Sequence, residues 1–247
     1  AAQAVGVIVV RTGKKQGQVS TAFVVGNGKV ILTSYHVIFN DDGSLISDKV
    51  DFYLHLPKLG DKNPKNLPKK YPVRITDNLL KKFSGLPPGA SPVNTCNEAN
   101  DYIALILEEK VDVKPIKLKA YKASRSSYKK PYFIIAYPAG FQLLGDKALS
   151  KNCGPRKIEK NHSQYSLCEN KPVFHDCDTD YGSSGGPMFS GDKKRFQAEM
   201  IHRGAYTTKE YGYFDPFHPK MHFNVAVPVT EKMIEMVNQA VKESESN

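Results

Sequence analysis

Short apolar runs rich in Val, Ile, Phe and Tyr recur between turn-forming residues, at positions 6–10, 21–25, 29–33, 50–55, 102–107, 115–119, 132–136, 187–190, 198–202 and 222–227. Runs of this length and composition predict many β-strands rather than alternating strands and helices, and their repetition predicts barrels. The clearest turn is Gly26-Asn27-Gly28, where Asn-Gly suits a tight hairpin because both residues accept positive φ. One segment alone reads as a long helix, 230–243. Thr230 caps it, Glu231 sits in its first turn, and Met233, Ile234, Val237 and Val241 recur at spacings of three or four. A polar, serine-rich stretch between about Leu118 and Lys130 separates two strand-rich halves. The expected division is an N-terminal unit 1–118 and a C-terminal unit 119–247 ending in the helix.

Composition narrows the class. A chain of 247 residues with 40% hydrophobic and 24% charged positions buries a real core and is not built like a disordered one. Its first apolar run, 5–10, is far short of the roughly 18 residues a membrane-spanning helix needs, so no membrane span is expected. Lys and Arg exceed Asp and Glu by 35 − 25 = 10, a bias towards anionic partners that names none of them. The densest basic stretch, 58–74, is broken by Pro, Asn and Gly and lacks aromatics spaced for base stacking, so it reads as a solvated loop and not a nucleic-acid groove. Cys96, Cys153, Cys168 and Cys177 permit two disulfides in three connectivities. A bridge between Cys153 and Cys177 is one expectation and four reduced thiols are another. A zinc cluster of Cys153, Cys168, His175 and Cys177 with His162 has spacings that match no familiar pattern, and no metal is assigned. The even cysteine count, with a first residue Ala1 in place of Met, motivates the expectation of a secreted or periplasmic protein.

The chemistry-bearing segment is Asp178-Thr179-Asp180-Tyr181-Gly182-Ser183-Ser184-Gly185-Gly186-Pro187. A nucleophilic Ser needs a tight backbone so that its own N–H and a neighbouring one both point at a developing oxyanion, and glycines allow that geometry. The nucleophile would be Ser184, and the donors the N–H groups of Gly182 and Ser184. A serine hydroxyl is a poor nucleophile at neutral pH, so a histidine base held by a carboxylate is required elsewhere. His36 follows the apolar run at 30–33, and Asp101 opens an almost wholly apolar run. Taken singly, His36 reads equally well as a core histidine, Asp101 as a turn cap, and the Gly/Ser segment as an ordinary loop. In the order His, Asp, Ser, each in its expected setting, they read as a catalytic set.

With these residues the chain resembles the chymotrypsin-like (trypsin-fold) serine peptidases from about Val7 to the terminal helix. Thr33-Ser34-Tyr35-His36 is similar to that family's Thr-Ala-Ala-His element, Asp101-Tyr102-Ile103-Ala104-Leu105 to its Asp-Ile-Ala-Leu element, and Gly182 to Pro187 to its Gly-Asp-Ser-Gly-Gly-Pro element. The resemblance implies an all-β fold of two packed six-stranded antiparallel β-barrels with the triad in the cleft between them, followed here by the C-terminal α-helix. It also implies that His202-Arg203-Gly204 pairs with the substrate backbone. Ser183 replaces an Asp that partners a newly cut N-terminus in zymogen-activated members, Trp is absent, and Arg203 lies where many digestive relatives carry Trp. The pattern is nearer the bacterial branch that includes glutamyl endopeptidases. There, a hydroxyl residue and a histidine at positions matching Thr179 and His202 bind a substrate carboxylate. Asp178 points the other way, since trypsin keeps its Lys/Arg-binding Asp at the matching position.

The expected function is therefore a serine endopeptidase acting on a protein or peptide through an acyl-enzyme, with a preference for cutting after Glu or Asp. Such chemistry needs neither metal nor organic cofactor. The competing reading is a catalytically silent trypsin-fold binding module that acts through its basic surface.

Overall fold

The computed structural model describes residues 1–13, 17–55, 68–124, 128, 130–138, 147–156, 165, 167–190, 196–207 and 222–246. Most of the basic stretch (58–67), part of the serine-rich linker (125–127 and 129) and His162 lie outside the described residues.

Six strands close the first barrel: β1 (Val5–Arg11), β2 (Gly17–Val25), β3 (Val30–Thr33), β4 (Val50–Tyr53), β5 (Tyr71–Arg74) and β6 (Ile103–Leu107), in the order β1-β2-β3-β6-β5-β4. All their pairings are antiparallel. β3 and β6 are buried at every position, which is why they read as continuous apolar runs instead of alternating ones. The second sheet contains β7 (Lys117–Leu118), β8 (Tyr132–Ala136), β9 (Ala148–Cys153), β10 (Val173–His175), β11 (Pro187–Ser190), β12 (Gln197–Thr207) and β13 (His222–Pro228). Six of these run antiparallel in the order β10-β13-β12-β11-β8-β9, and the short β7 adds a parallel pairing to β12. An isolated bridge between Pro155 and His175 and the Cys153–Cys177 disulfide join the two edges into a barrel-like closure. The protein is thus all-β, two six-stranded antiparallel barrel-like sheets and a C-terminal helix. Ile116 N–H still donates to Val24 of the first barrel while Lys117 pairs with β12, so the chain crosses between barrels there.

One apolar core runs through the first barrel and takes in Ile135, Tyr137, Phe189, Ala198 and Ile201 of the second. A second disulfide, Cys96–Cys168, ties the 3-10 turn Thr95–Asn100 to the segment ahead of β10. The cleft walls are therefore fixed by shared packing as well as by covalent linkage. After α1 (Asp77–Lys82), the only other helix among the described residues is α2 (Glu231–Glu245), which buries Met233, Met236, Val237 and Ala240 against β3 and β6. Thr230 Oγ1 accepts from Met233 N–H at 3.1 Å, as its sequence position implies.

Two local findings differ from the sequence expectation. In the β2–β3 turn the positive φ angles fall on Gly26 (62°) and Gly28 (92°), and Asn27 is not among the positive-φ residues. Its side chain instead accepts from Lys29 N–H and donates to Ser244 Oγ, both at 3.0 Å, pinning the turn to the end of α2. That contact is part of why α2 extends past 243.

Candidate active site

Antiparallel register brings the histidine and the aspartate together. Thr33 pairs with Ile103, so the residues just beyond β3 and just before β6 emerge at the same end of the barrel. His36 sits there in the 3-10 turn Tyr35–Val37, anchored by Tyr35, whose ring stacks on Phe39 at 4.0 Å. Asp101 ends the 3-10 turn Thr95–Asn100 and is fully buried. Its Oδ1 accepts from the His36 backbone N–H at 2.9 Å, and its Oδ2 lies 2.7 Å from His36 Nδ1. Burial by itself pushes the Asp101 carboxyl up, but His36 and the Arg203 guanidinium outweigh it and hold it below the usual carboxylate range. An anionic Asp101 requires the hydrogen on His36 Nδ1, which leaves Nε2 as the basic nitrogen.

Ser184 lies on the turn that enters β11. Gly182 (φ 84°) and Gly185 (φ 86°) supply left-handed conformations that a side chain resists. At Gly185 a Cβ would also sit 2.0 Å from Thr21 O and 2.3 Å from Thr33 Oγ1. The turn is clamped to the opposite barrel: Thr21 Oγ1 donates to Gly182 O, while Thr21 N–H and Ser20 Oγ donate to Ser184 O. With both carbonyls turned into these clamps, the backbone of 182–184 is held from behind. Ser183 is 1% exposed and accepts from Asp180 N–H, so of the two serines Ser184 alone lines the cleft. Ser184 Oγ donates to the Arg203 carbonyl at 2.8 Å, and no hydrogen bond joins it to His36. Such contacts are often loose without substrate and tighten when it binds.

A cleft of about 340 Å³ is lined by His36, Ser184, Gly182, Thr179, His202 and Gly204, together with Asp180, Tyr181 and Arg203. Asp178 is not among the lining residues. It is exposed, and its N–H donates to Ser150 Oγ on β9. Asp180 does line the cleft, with its Oδ1 turned back to accept from Tyr181 N–H at 2.7 Å.

His202 is 2% exposed and backs onto a second buried histidine, His175, whose Nε2 lies 3.1 Å from His202 Nδ1. Cys177 N–H donates to His175 Nδ1, so the His175 ring hydrogen is on Nε2 and points at His202 Nδ1. The hydrogen of His202 is thereby placed on its own Nε2. Burial lowers His175 to about 3. Burial, then His175, His36 and Arg203, hold His202 well below its ordinary range too. Both rings are neutral near pH 7.

Arg203 departs most from expectation. β12 carries a bulge: His202 pairs with Ala226 and Gly204 with Val225, which leaves Arg203 as the extra residue. Its side chain turns inward, 14% exposed, where Nε comes within 3.0 Å of Asp101 Oδ2 and Nη2 donates to Pro92 O. Sequence reasoning also missed Thr21, Glu98 and the role of His175, whose site contacts with Gly182, Arg203 and His202 reach 27 or more residues along the chain. The cysteines weighed as zinc ligands are paired in the two disulfides.

The sequence model of the trypsin-like peptidase domain matches residues 20–196. Among curated proteins no sequence matches significantly. Among solved structures, a thermostable serine protease from an extremophilic microorganism superposes with a TM-score of 0.62 at 14% identity, covering 100% of this chain and 99% of that one. A protease from Arthrobacter nicotinovorans gives 0.62 at 14%, covering 97% and 96%, and a Glu endopeptidase gives 0.60 at 14%, covering 98% and 91%. At such identities these likenesses carry the fold alone. The family match spans most of the chain, from the strand that clamps the serine turn to the far side of that turn, and the chain therefore belongs to the trypsin-like peptidase domain family and is a serine endopeptidase by class.

Proposed function

We propose that this peptidase works through Ser184 as nucleophile, His36 as general base and Asp101 as the group that orients and stabilises the imidazolium. The observation that carries the reading is the two-point grip of a fully buried, ionised Asp101 on His36, at the backbone N–H and at Nδ1. Release of the Ser184 hydroxyl from the Arg203 carbonyl frees Oγ to donate to Nε2. As Oγ attacks a peptide carbonyl, Nε2 takes its proton, and the imidazolium then protonates the leaving amine. Water repeats the sequence on the acyl-enzyme. The N–H groups of Gly182 and Ser184 receive the oxyanion, each worth about 3 to 4 kcal/mol of transition-state stabilisation. Against the competing reading as a silent binding module stand His36, Gly182 and Ser184 in one cleft, with the buried Asp101 behind His36.

The substrate residue before the cut is proposed to be Glu or Asp. Thr179 and the neutral His202 line the cleft as hydrogen-bond donors, and a charge-assisted hydrogen bond is about twice as strong as a neutral one. Asp178 is exposed and outside the cleft lining, which leaves Asp180, with one carboxylate oxygen taken by Tyr181 N–H, as an acid in the cleft that opposes this preference. An oxidising compartment, extracellular or periplasmic, suits the two disulfides. A peptide library profiled for the residue before the cut tests the specificity. Selection for Glu or Asp that disappears in His202→Ala supports it, and selection for Lys or Arg overturns it.

A further inference from the structure

The acid of the proposed triad has a cationic neighbour that the mechanism above does not use. Arg203 is the bulged residue of β12, and a bulge re-aims one side chain out of the pleat. Here it sends a guanidinium beneath His36. Nε lies 3.0 Å from Asp101 Oδ2, off the line of a hydrogen bond, and that same oxygen faces His36 Nδ1 at 2.7 Å. Nη2 donates to Pro92 O at 3.0 Å, and Nη1 lies 3.8 Å from Glu98 Oε1. Glu98 is itself held by the hydroxyl of Tyr165 and sits on the turn fastened by Cys96–Cys168. The result is a buried row Glu98, Arg203, Asp101, His36 in which charges alternate once His36 is protonated. The bulge also leaves the Arg203 carbonyl free of the strand ladder, and that carbonyl takes the Ser184 hydroxyl.

We propose that Arg203 is a positioning residue of the catalytic set, which fixes the Asp101 carboxylate and shares its charge so that the enzyme stays active at lower pH than it would with a neutral side chain there. The inference rests on the triad reading given above. Its physical content is a competition for Oδ2. A carboxylate that already faces a guanidinium stabilises an imidazolium less, because the cation opposes the charge His36 acquires. The other titratable groups around the pair are His202 from β12, Tyr35 from the histidine's own turn, Glu98 from the turn before β6, and Asp41 and Asp180 at the cleft rim. Glu98 offsets part of the guanidinium charge, so removing Glu98 and removing Arg203 act with opposite signs.

The test is the pH profile of kcat/KM for wild type, Arg203→Met, Arg203→Lys and Glu98→Gln on one peptide substrate, with thermal unfolding recorded for each. In Arg203→Met the acid limb is expected to move up by about one pH unit, with kcat lowered about tenfold or more and KM within about twofold of wild type. Glu98→Gln moves the limb down, and Arg203→Lys restores much of it because the charge is kept. Unmoved limbs in folded Arg203→Met and Glu98→Gln, or limbs displaced in the same direction, overturn the proposal. If Arg203→Met does not fold, the opposite displacement in Glu98→Gln decides it. Labelling of wild-type Ser184 by a fluorophosphonate is run alongside. Failure there sinks the triad reading, whereas labelling with unmoved limbs sinks only the role of Arg203.

Discussion

Acidification strains this fold through two neutral histidines packed against each other. His175 is 0% exposed and His202 2%, and burial keeps His175 neutral down to about 3, against an ordinary value of 6.5. In the unfolded chain each ring takes up a proton near its ordinary value, while in the folded chain it does not. The unfolded state therefore binds more protons between about 3 and 6.5, and stability falls as the pH drops through that window. Each withheld proton costs up to about 1.4 kcal/mol per pH unit, and because the unfolded ring is only half protonated at about pH 6.5, His175 alone accounts for about 2 kcal/mol between about pH 6.5 and 4.5. That is a large share of a typical net stability of about 5 to 15 kcal/mol. Asp101, whose value folding also lowers, acts in the same sense. Its contribution is full above the ordinary carboxylate range and is lost as the pH falls through the depressed value. His175→Gln is the informative perturbation, since its amide can accept from Cys177 N–H and donate to His202 Nδ1 yet cannot take up a proton. Urea titrations followed by circular dichroism at about pH 6.5, 5.5 and 4.5 would read the effect. The wild type is expected to lose about 2 kcal/mol more than the variant over that range. Parallel losses in the two proteins would refute the reasoning.

Two further outcomes follow from the same geometry. Gly185→Ala places a Cβ within 2.0 Å of Thr21 O at a φ of 86°, so it is expected to destabilise the protein by about 3 kcal/mol or more and to abolish turnover, checked by thermal unfolding and peptide hydrolysis. Asp101→Asn removes the anion that fixes the imidazole tautomer and is expected to lower kcat about 10⁴-fold, and a loss of less than about tenfold in kinetic assays would argue against the assigned role.

What the sequence disclosed and what it hid divide along the range of the interactions. Apolar runs such as 30–33 and 103–107 announce strands because burial dictates their composition locally, and the cap at Thr230 lies next to the helix it starts. The local settings of His36, Asp101 and Ser184 make them candidates, although their convergence depends on the pairing of Thr33 with Ile103 and on the clamp from Thr21. The exposed position of Asp178, the edge-on packing of His175 behind His202 and the inward turn of Arg203 carry no local signature. Each follows from a contact set by the tertiary fold: Ser150 for Asp178, the β10–β13 pairing for His175, and one extra residue in β12 for Arg203. Asn27 shows the same limit at short range. The dipeptide suits positive φ at Asn, but flanking glycines take that conformation and free the amide to hold α2.

The most direct test of the proposed mechanism is covalent labelling by a fluorophosphonate, followed by peptide mapping, in wild type, Ser184→Ala and Ser183→Ala. One label per chain on Ser184, absent from a folded Ser184→Ala and retained by Ser183→Ala, together with peptide hydrolysis lost in Ser184→Ala alone, is the result the account predicts. Labelling at Ser183, or undiminished hydrolysis by Ser184→Ala, would contradict it.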